Sequence, residues 1–205
     1  MTARPRPKRT PRLPAVAPEL ADRVPPGQIV TPRWPVLHQG DVPTFDPETW
    51  ELRVWGCVRT PVRWSWAEFQ HLPETTSVGD LHCVTRWSTL DHQWTGVAAG
   101  TILGLVDPLP EARAVMLHAG SGYSANITLE VFAAADTLLA TRHNGAPLTP
   151  EHGGPLRAVI PGLYAWKSVK WLRGIEFVAE ERPGFWEGYG YHNAGDVWRE
   201  ERFES

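Results

Sequence analysis

Apolar runs in this chain are short, and proline or glycine interrupts most of them before they grow into long elements. With 20 prolines and 18 glycines in 205 residues, no run approaches the roughly 18 apolar residues needed to span a bilayer. Residues 50–58 alternate well enough to form a half-buried strand. Ser65-Trp66-Ala67-Glu68 matches a capping box, and the helix it opens stops at Pro73. Val78 to Thr85 reads as an extended segment, Trp94 to Val106 as a turn followed by a short helix, and Ala114 to Ala119 as a strand. Thr128 caps a helical stretch in which Leu129, Phe132 and Ala133 share a face. Arg157 to Pro161 and Gly174 to Ala179 are further strands. Short strands and helices mix without a βαβ rhythm, which predicts an α+β fold of mixed sheets rather than a doubly wound sheet.

The length suits a single domain, expected over 31–205. Residues 1–30, which hold seven of the prolines, are expected to be an extended or disordered lead-in outside the sheets. Met1 to Pro14 is basic, but no apolar segment follows it, so it does not read as a secretory signal. A net charge of -3 gives no reason to expect nucleic acid or an anionic membrane as partner. Eleven scattered tryptophans lack the fixed spacing of a repeat protein and are expected in the core or on cleft walls. Two cysteines, Cys57 and Cys83, exclude a disulfide framework and fit a reduced, cytoplasmic setting. Dinucleotide, Walker, zincin and nucleophile-elbow motifs are all absent.

Two constellations carry the chemistry. Cys83 lies in Leu81-His82-Cys83-Val84-Thr85-Arg86-Trp87-Ser88 and is buried filler, a nucleophile, or the lone protein ligand of a soft metal. Arg86 supplies positive charge that favours the thiolate. In a strand, His82 points to the opposite face from Cys83, so a catalytic imidazole would have to come from His118, His152 or His192. One thiolate cannot hold a structural zinc, but it can complete the shell of a metal carried by a bound cofactor.

The second constellation runs from Glu151-His152-Gly153-Gly154 through Arg157 to Lys167-Ser168-Val169-Lys170. Its glycines permit close backbone approach to a ligand. Arg157 offers a planar fork for phosphate, and Lys167, Ser168 and Lys170 offer further donors. The competing interpretation is a solvated basic loop.

Taken together, His82-Cys83-Val84, Gly122-Tyr123-Ser124, His152-Gly153-Gly154-Pro155-Leu156-Arg157, Lys167-Ser168-Val169-Lys170 and Pro183-Gly184-Phe185-Trp186 resemble the sulfite oxidase-like family of molybdopterin-dependent oxidoreductases. The resemblance runs in order over roughly residues 30–200 and is strongest to the bacterial branch with the protein-methionine-sulfoxide reductase subunit. It implies the sulfite oxidase-type fold, molybdenum cofactor, and Cys83 as the metal's thiolate ligand. Arg157 and the Ser168–Lys170 turn match positions that hold the pterin phosphate and ring, with Lys167 beside them. His38, His118 and His152 fall near other cofactor contacts. Arg86 becomes a candidate catalytic residue that attracts substrate, and Tyr191 or His192 a candidate to close the pocket.

The implied activity is oxygen-atom transfer to or from a small S- or N-oxide or an anion, served by an unidentified electron-transfer partner. The reductase branch carries a twin-arginine signal and sulfite oxidases a second, dimerising domain; neither is expected here. A cofactor-free binding module and a cysteine-nucleophile hydrolase are the rival expectations.

Overall fold

Two β-sheets face one another across a continuous apolar core in the computed structural model, which describes residues 16–204. The basic arm expected at Met1 to Pro14 therefore lies outside the described residues. The first sheet contains β1 (Ile29–Val30), β4 (Glu74–His82), β5 (Trp87–Ala98), β8 (Leu138–His143), β9 (Ala146–Pro147) and β10 (Arg157–Val159). The second has the order β3 (Val62–Ser65), β2 (Glu51–Gly56), β11 (Leu172–Val178), β6 (Ala114–Ala119) and β7 (Ser124–Thr128). Three short helices, α1 (Trp66–Phe69), α2 (Ala99–Val106) and α3 (Leu129–Phe132), complete the α+β architecture.

Alternation explains how the second sheet meets the core. On β6, Val115, Leu117 and Ala119 join the main core, while Ala114 and Met116 pack on the outer face with Val178. Leu52, Val54, Ile175 and Phe177 continue the inner layer from β2 and β11, which pair in parallel. From the first sheet come Val97, Leu139 and Ala158, and between the layers sit Ile102 and Phe132 of the helices.

The expected capping box is present: the Glu68 amide donates to Ser65 Oγ, and the Ser65 amide donates to the Glu68 carboxylate at 2.8 Å. Thr128 caps α3 by accepting from the Val131 amide at 3.2 Å. Two expectations need correction. Trp94 is no turn residue; β5 runs unbroken for 12 residues, because its pairing with β4 and β8 satisfies the backbone on both edges. The lead-in does enter a sheet, since Ile29 and Val30 pair in parallel with Trp87 and Ser88. Arg23 also ties it down through a two-point contact with Asp80.

Beneath the segment that follows, His92 of β5 is buried. Its ring nitrogens lie 2.7 Å from His143 Nε2 and 2.6 Å from Thr89 Oγ1. Trp34 packs on both imidazoles, with ring centroids 5.1 and 4.6 Å away. Burial, then the neighbouring His143, pushes the His92 pKa down to about 4; burial alone does the same to His82. Both rings must be neutral in the fold, whereas an unfolded histidine titrates near 6.5. Between those values the unfolded chain binds more protons, so stability is full above about pH 6.5 and falls as pH drops towards 4. The melting temperature is expected to fall over this window, and less steeply in His92→Gln. A variant that follows the wild-type pH profile throughout contradicts the assignment.

Candidate functional site

The antiparallel strand pair β4–β5 is closed by a tight turn over residues 83–86, and this turn presents Cys83. The Cys83 amide donates to Trp87 O at 2.9 Å, and the Arg86 amide to Cys83 O at 3.0 Å. Gln28 Nε2 donates to the same carbonyl, and Arg202 donates to Val84 O at 2.9 Å. The loop is thus held by the lead-in on one side and the C-terminal segment on the other. Cys83 is 8% exposed, and its Sγ accepts a hydrogen bond from Thr85 Oγ1 at 3.1 Å.

Cys83 lies on the wall of a cavity of about 300 Å³ where the ends of the two sheets meet. Leu81 and Trp87 line it from the first sheet and Ala119 from the second. The 33–40 segment contributes Trp34, Leu37 and His38; residues 165–171, between β10 and β11, contribute Ser168, Val169 and Lys170. Trp186 and Tyr191 approach from the C-terminal segment.

Arg157 is the most buried cation on this wall, at 2% exposure. Its guanidinium donates to the carbonyls of His152 (2.9 Å), Ser168 (3.0 Å) and Ala158 (3.3 Å), and lies 5.5 Å from the ring centres of both Trp34 and Trp94. Burial lowers its pKa to about 10. Lys170 Nζ donates to the carbonyls of Leu37 (2.9 Å) and Glu151 (2.6 Å), and burial followed by repulsion from Arg157 brings its pKa down to about 8. Two cations share one wall, and the groups they bond are main-chain carbonyls rather than carboxylates. Such an arrangement is costly without an anion. Gly153 makes the approach of Lys170 possible: at φ +105°, a Cβ there would stand 2.9 Å from Lys170 Cγ.

The expected site residues divide into two groups. Cys83, His38, Arg157, Ser168, Val169 and Lys170 come together on the cavity wall. Ser168 also braces it, because its Oγ accepts from the Ile160 amide at 3.0 Å. His152 stands behind the wall: its ring stacks on Trp34 at 3.8 Å, and its carbonyl receives Arg157.

Three of the expected residues lie off this wall. Arg86 turns away from the cavity, since its φ of +74° swings the exposed side chain towards Gly27 and Glu200. His118 occupies the outer face of β6, where Nε2 meets Glu176 at 2.9 Å and the ring stacks on Trp55. Lys167 is fully buried in an ion pair with Glu187 (2.6 Å) and donates to Asn126 and Asn193. Of the candidate partner imidazoles, His118, His152 and His192 are not on the wall, and His82 turns to Ser88 Oγ at 2.8 Å. A cysteine-nucleophile mechanism therefore lacks its general base among these residues.

Sequence reasoning did not single out Tyr123 as a site residue or any particular tryptophan, yet Trp34, Trp87, Trp166, Trp171 and Trp186 line the cavity with it. The Trp87 indole N–H is buried without a hydrogen-bond partner. An anionic, aromatic, hydrogen-bonding ligand fits this combination of uncompensated cations, indole walls and a thiol.

Two substitutions separate the groups. Lys167→Met leaves the Glu187 carboxylate buried and unpaired, and should cost about 3–5 kcal/mol of stability. Arg86→Ala should leave stability and ligand content unchanged. A stable Lys167→Met protein in denaturant titration, or ligand loss in Arg86→Ala, contradicts these placements.

Comparison with known proteins agrees with this geometry. Residues 39–186 match the oxidoreductase molybdopterin binding domain. The chain is 52% identical over 182 residues to the uncharacterized oxidoreductase YuiH of Bacillus subtilis, covering 88% of this chain and 92% of that one. It is 30% identical to the protein-methionine-sulfoxide reductase catalytic subunit MsrP of Gluconobacter oxydans, over 73% of this chain but only 55% of that longer protein. The sulfane dehydrogenase SoxCD of Paracoccus pantotrophus shares the fold, with a TM-score of 0.64 at 21% identity, over 70% of this chain and 41% of that one. Fold, cavity chemistry and sequence agree: the chain belongs to the molybdopterin-binding oxidoreductase family, enzymes whose cofactor is the molybdenum-bearing pterin.

Proposed function

We propose that the cavity holds the molybdenum cofactor with Cys83 as the protein's ligand to the metal, and that the enzyme transfers an oxygen atom to or from a small S- or N-oxide or anionic substrate. The observation that carries this reading is Cys83 on the same wall as two cations, buried Arg157 and half-buried Lys170, whose bonds go to main-chain carbonyls. When bound, the cofactor supplies two-electron oxygen-atom chemistry, and the protein's contribution is position and electrostatics.

Arg157 and Lys170 hold the anionic part of the cofactor. Charge-assisted hydrogen bonds of this kind contribute about 1.5–3 kcal/mol each. Their lowered pKa values support the assignment, because an anion between them offsets the burial that now opposes their charge. His38 guards the mouth from the 33–40 segment, its Nδ1 2.9 Å from Gly40 O. Trp171 packs edge-on against it at 5.4 Å. Indole walls exclude water from the thiolate and strengthen every charge interaction inside.

Electrons reach or leave the site through an unidentified partner. Among the described residues, no helix is long and apolar enough to cross a membrane.

Protein produced in a host that makes the cofactor should contain molybdenum and pterin. Arg157→Ala should lower both while the fold persists, and Cys83→Ala should lose most of the metal. Well-folded wild-type protein without molybdenum overturns the function. Full occupancy in Arg157→Ala overturns the role of that residue.

A further inference from the structure

The cavity has two chemically distinct halves. Around Arg157 and Lys170 the wall is cationic. Around Tyr123, Trp166, Trp186 and Tyr191 it is aromatic. Cys83 shares the wall with both.

The aromatic half is built with care to expose no charge. Trp166 and Tyr191 meet edge to face at 5.1 Å, and Trp186 stacks on Tyr191 at 5.0 Å. The two charges behind these rings cancel, because Glu187 pairs with Lys167 at 2.6 Å and also accepts the Trp166 indole N–H at 2.8 Å. Tyr123 spends its hydroxyl on Trp166 O at 2.6 Å. Arg86, the cation nearest to Cys83 in sequence, faces outward. Arg202 is committed to the carbonyl of Val84 and to the Tyr164 ring, 4.7 Å away. What this half offers a ligand is uncharged aromatic surface, Tyr191 included.

Such a surface offers no charge to offset the desolvation of a small anion, and it favours apolar or polarisable groups such as sulfur. The aromatic surface also continues outward. Tyr189, 73% exposed, lies 6.2 Å from Trp186, and Phe203, 58% exposed, lies 5.1 Å from Tyr191. A substrate with an apolar body can thus extend from the cavity along this rim.

We infer that, of the substrates the proposed activity allows, this enzyme takes an uncharged oxide or its reduced form with an apolar or aromatic body, and discriminates against small oxyanions. Trp186 and Tyr191 set that preference: Trp186 by stacking on the body, Tyr191 by donating its hydroxyl to the oxide oxygen. The inference rests on the proposed cofactor reading, in which the pterin's own negative charge occupies Arg157 and Lys170.

The test is calorimetric titration of the molybdenum-loaded enzyme with methyl p-tolyl sulfoxide, nitrate and sulfate. The sulfoxide should bind at least about tenfold more tightly than either anion. Trp186→Ala should weaken the sulfoxide about tenfold, as expected for loss of an aromatic contact together with its buried area. Tyr191→Phe, which removes only the hydroxyl, should weaken it about three- to tenfold with molybdenum content unchanged. Nitrate or sulfate binding as tightly as the sulfoxide on loaded enzyme overturns the inference alone, as does sulfoxide affinity unchanged in both variants. Wild-type protein that never loads molybdenum overturns the cofactor reading beneath it.

Discussion

A guanidinium buried between two indoles is the constraint around which this site is assembled. Arg157 begins β10, but its donors reach the turn at His152 and the loop at Ser168, so one side chain joins three segments of the wall. Trp34 closes over it from the 33–40 segment and is itself clasped by His92, His143 and His152. Removing the guanidinium would leave these carbonyls without their donor and the indoles without the cation they flank. The fold thus maintains a positive charge in a place where solvation cannot reach it, beside half-buried Lys170, which bears a smaller cost of the same kind. Proteins rarely keep such groups unless an anion offsets them, and the family's phosphate-bearing cofactor is such an anion.

Much of this arrangement was legible in the sequence because it depends on strand alternation and short-range chemistry. The period of two separates His82 from Cys83, and the structure turns His82 to Ser88. The same rule, applied one strand further, would have corrected His118: with Leu117 and Ala119 facing the core, His118 must face outward. Other departures could not be read locally. Arg86 faces away because its backbone is left-handed, a conformation imposed by the turn that closes on Trp87. Lys167 is consumed by Glu187, twenty residues later in the chain, so nothing beside it announced the pair. The aromatic wall is likewise assembled from segments far apart in sequence, with Tyr123, Trp166 and Trp186 converging only in the fold.

Division of labour within the cavity follows from these placements. On the proposed reading, the cationic side would provide charge to a bound cofactor, and the aromatic side would present an uncharged surface to substrate. The ion pair between Lys167 and Glu187 serves this second purpose by orienting the Trp166 indole while cancelling its own field. Rigidity comes from the main chain: the Cys83 loop is pinned by Gln28 from one end of the chain and Arg202 from the other. A thiol held so firmly has little freedom to find a partner, which suits a ligand that must present one geometry to a metal.

The central claim is that Cys83 contributes the protein's bond to molybdenum. X-ray absorption at the molybdenum edge of the loaded enzyme tests it most directly, comparing wild type with whatever metal Cys83→Ser retains. The account expects the serine variant to lose one sulfur neighbour and gain a lighter one, with the pterin sulfurs unchanged. An identical sulfur count in the two proteins would contradict it.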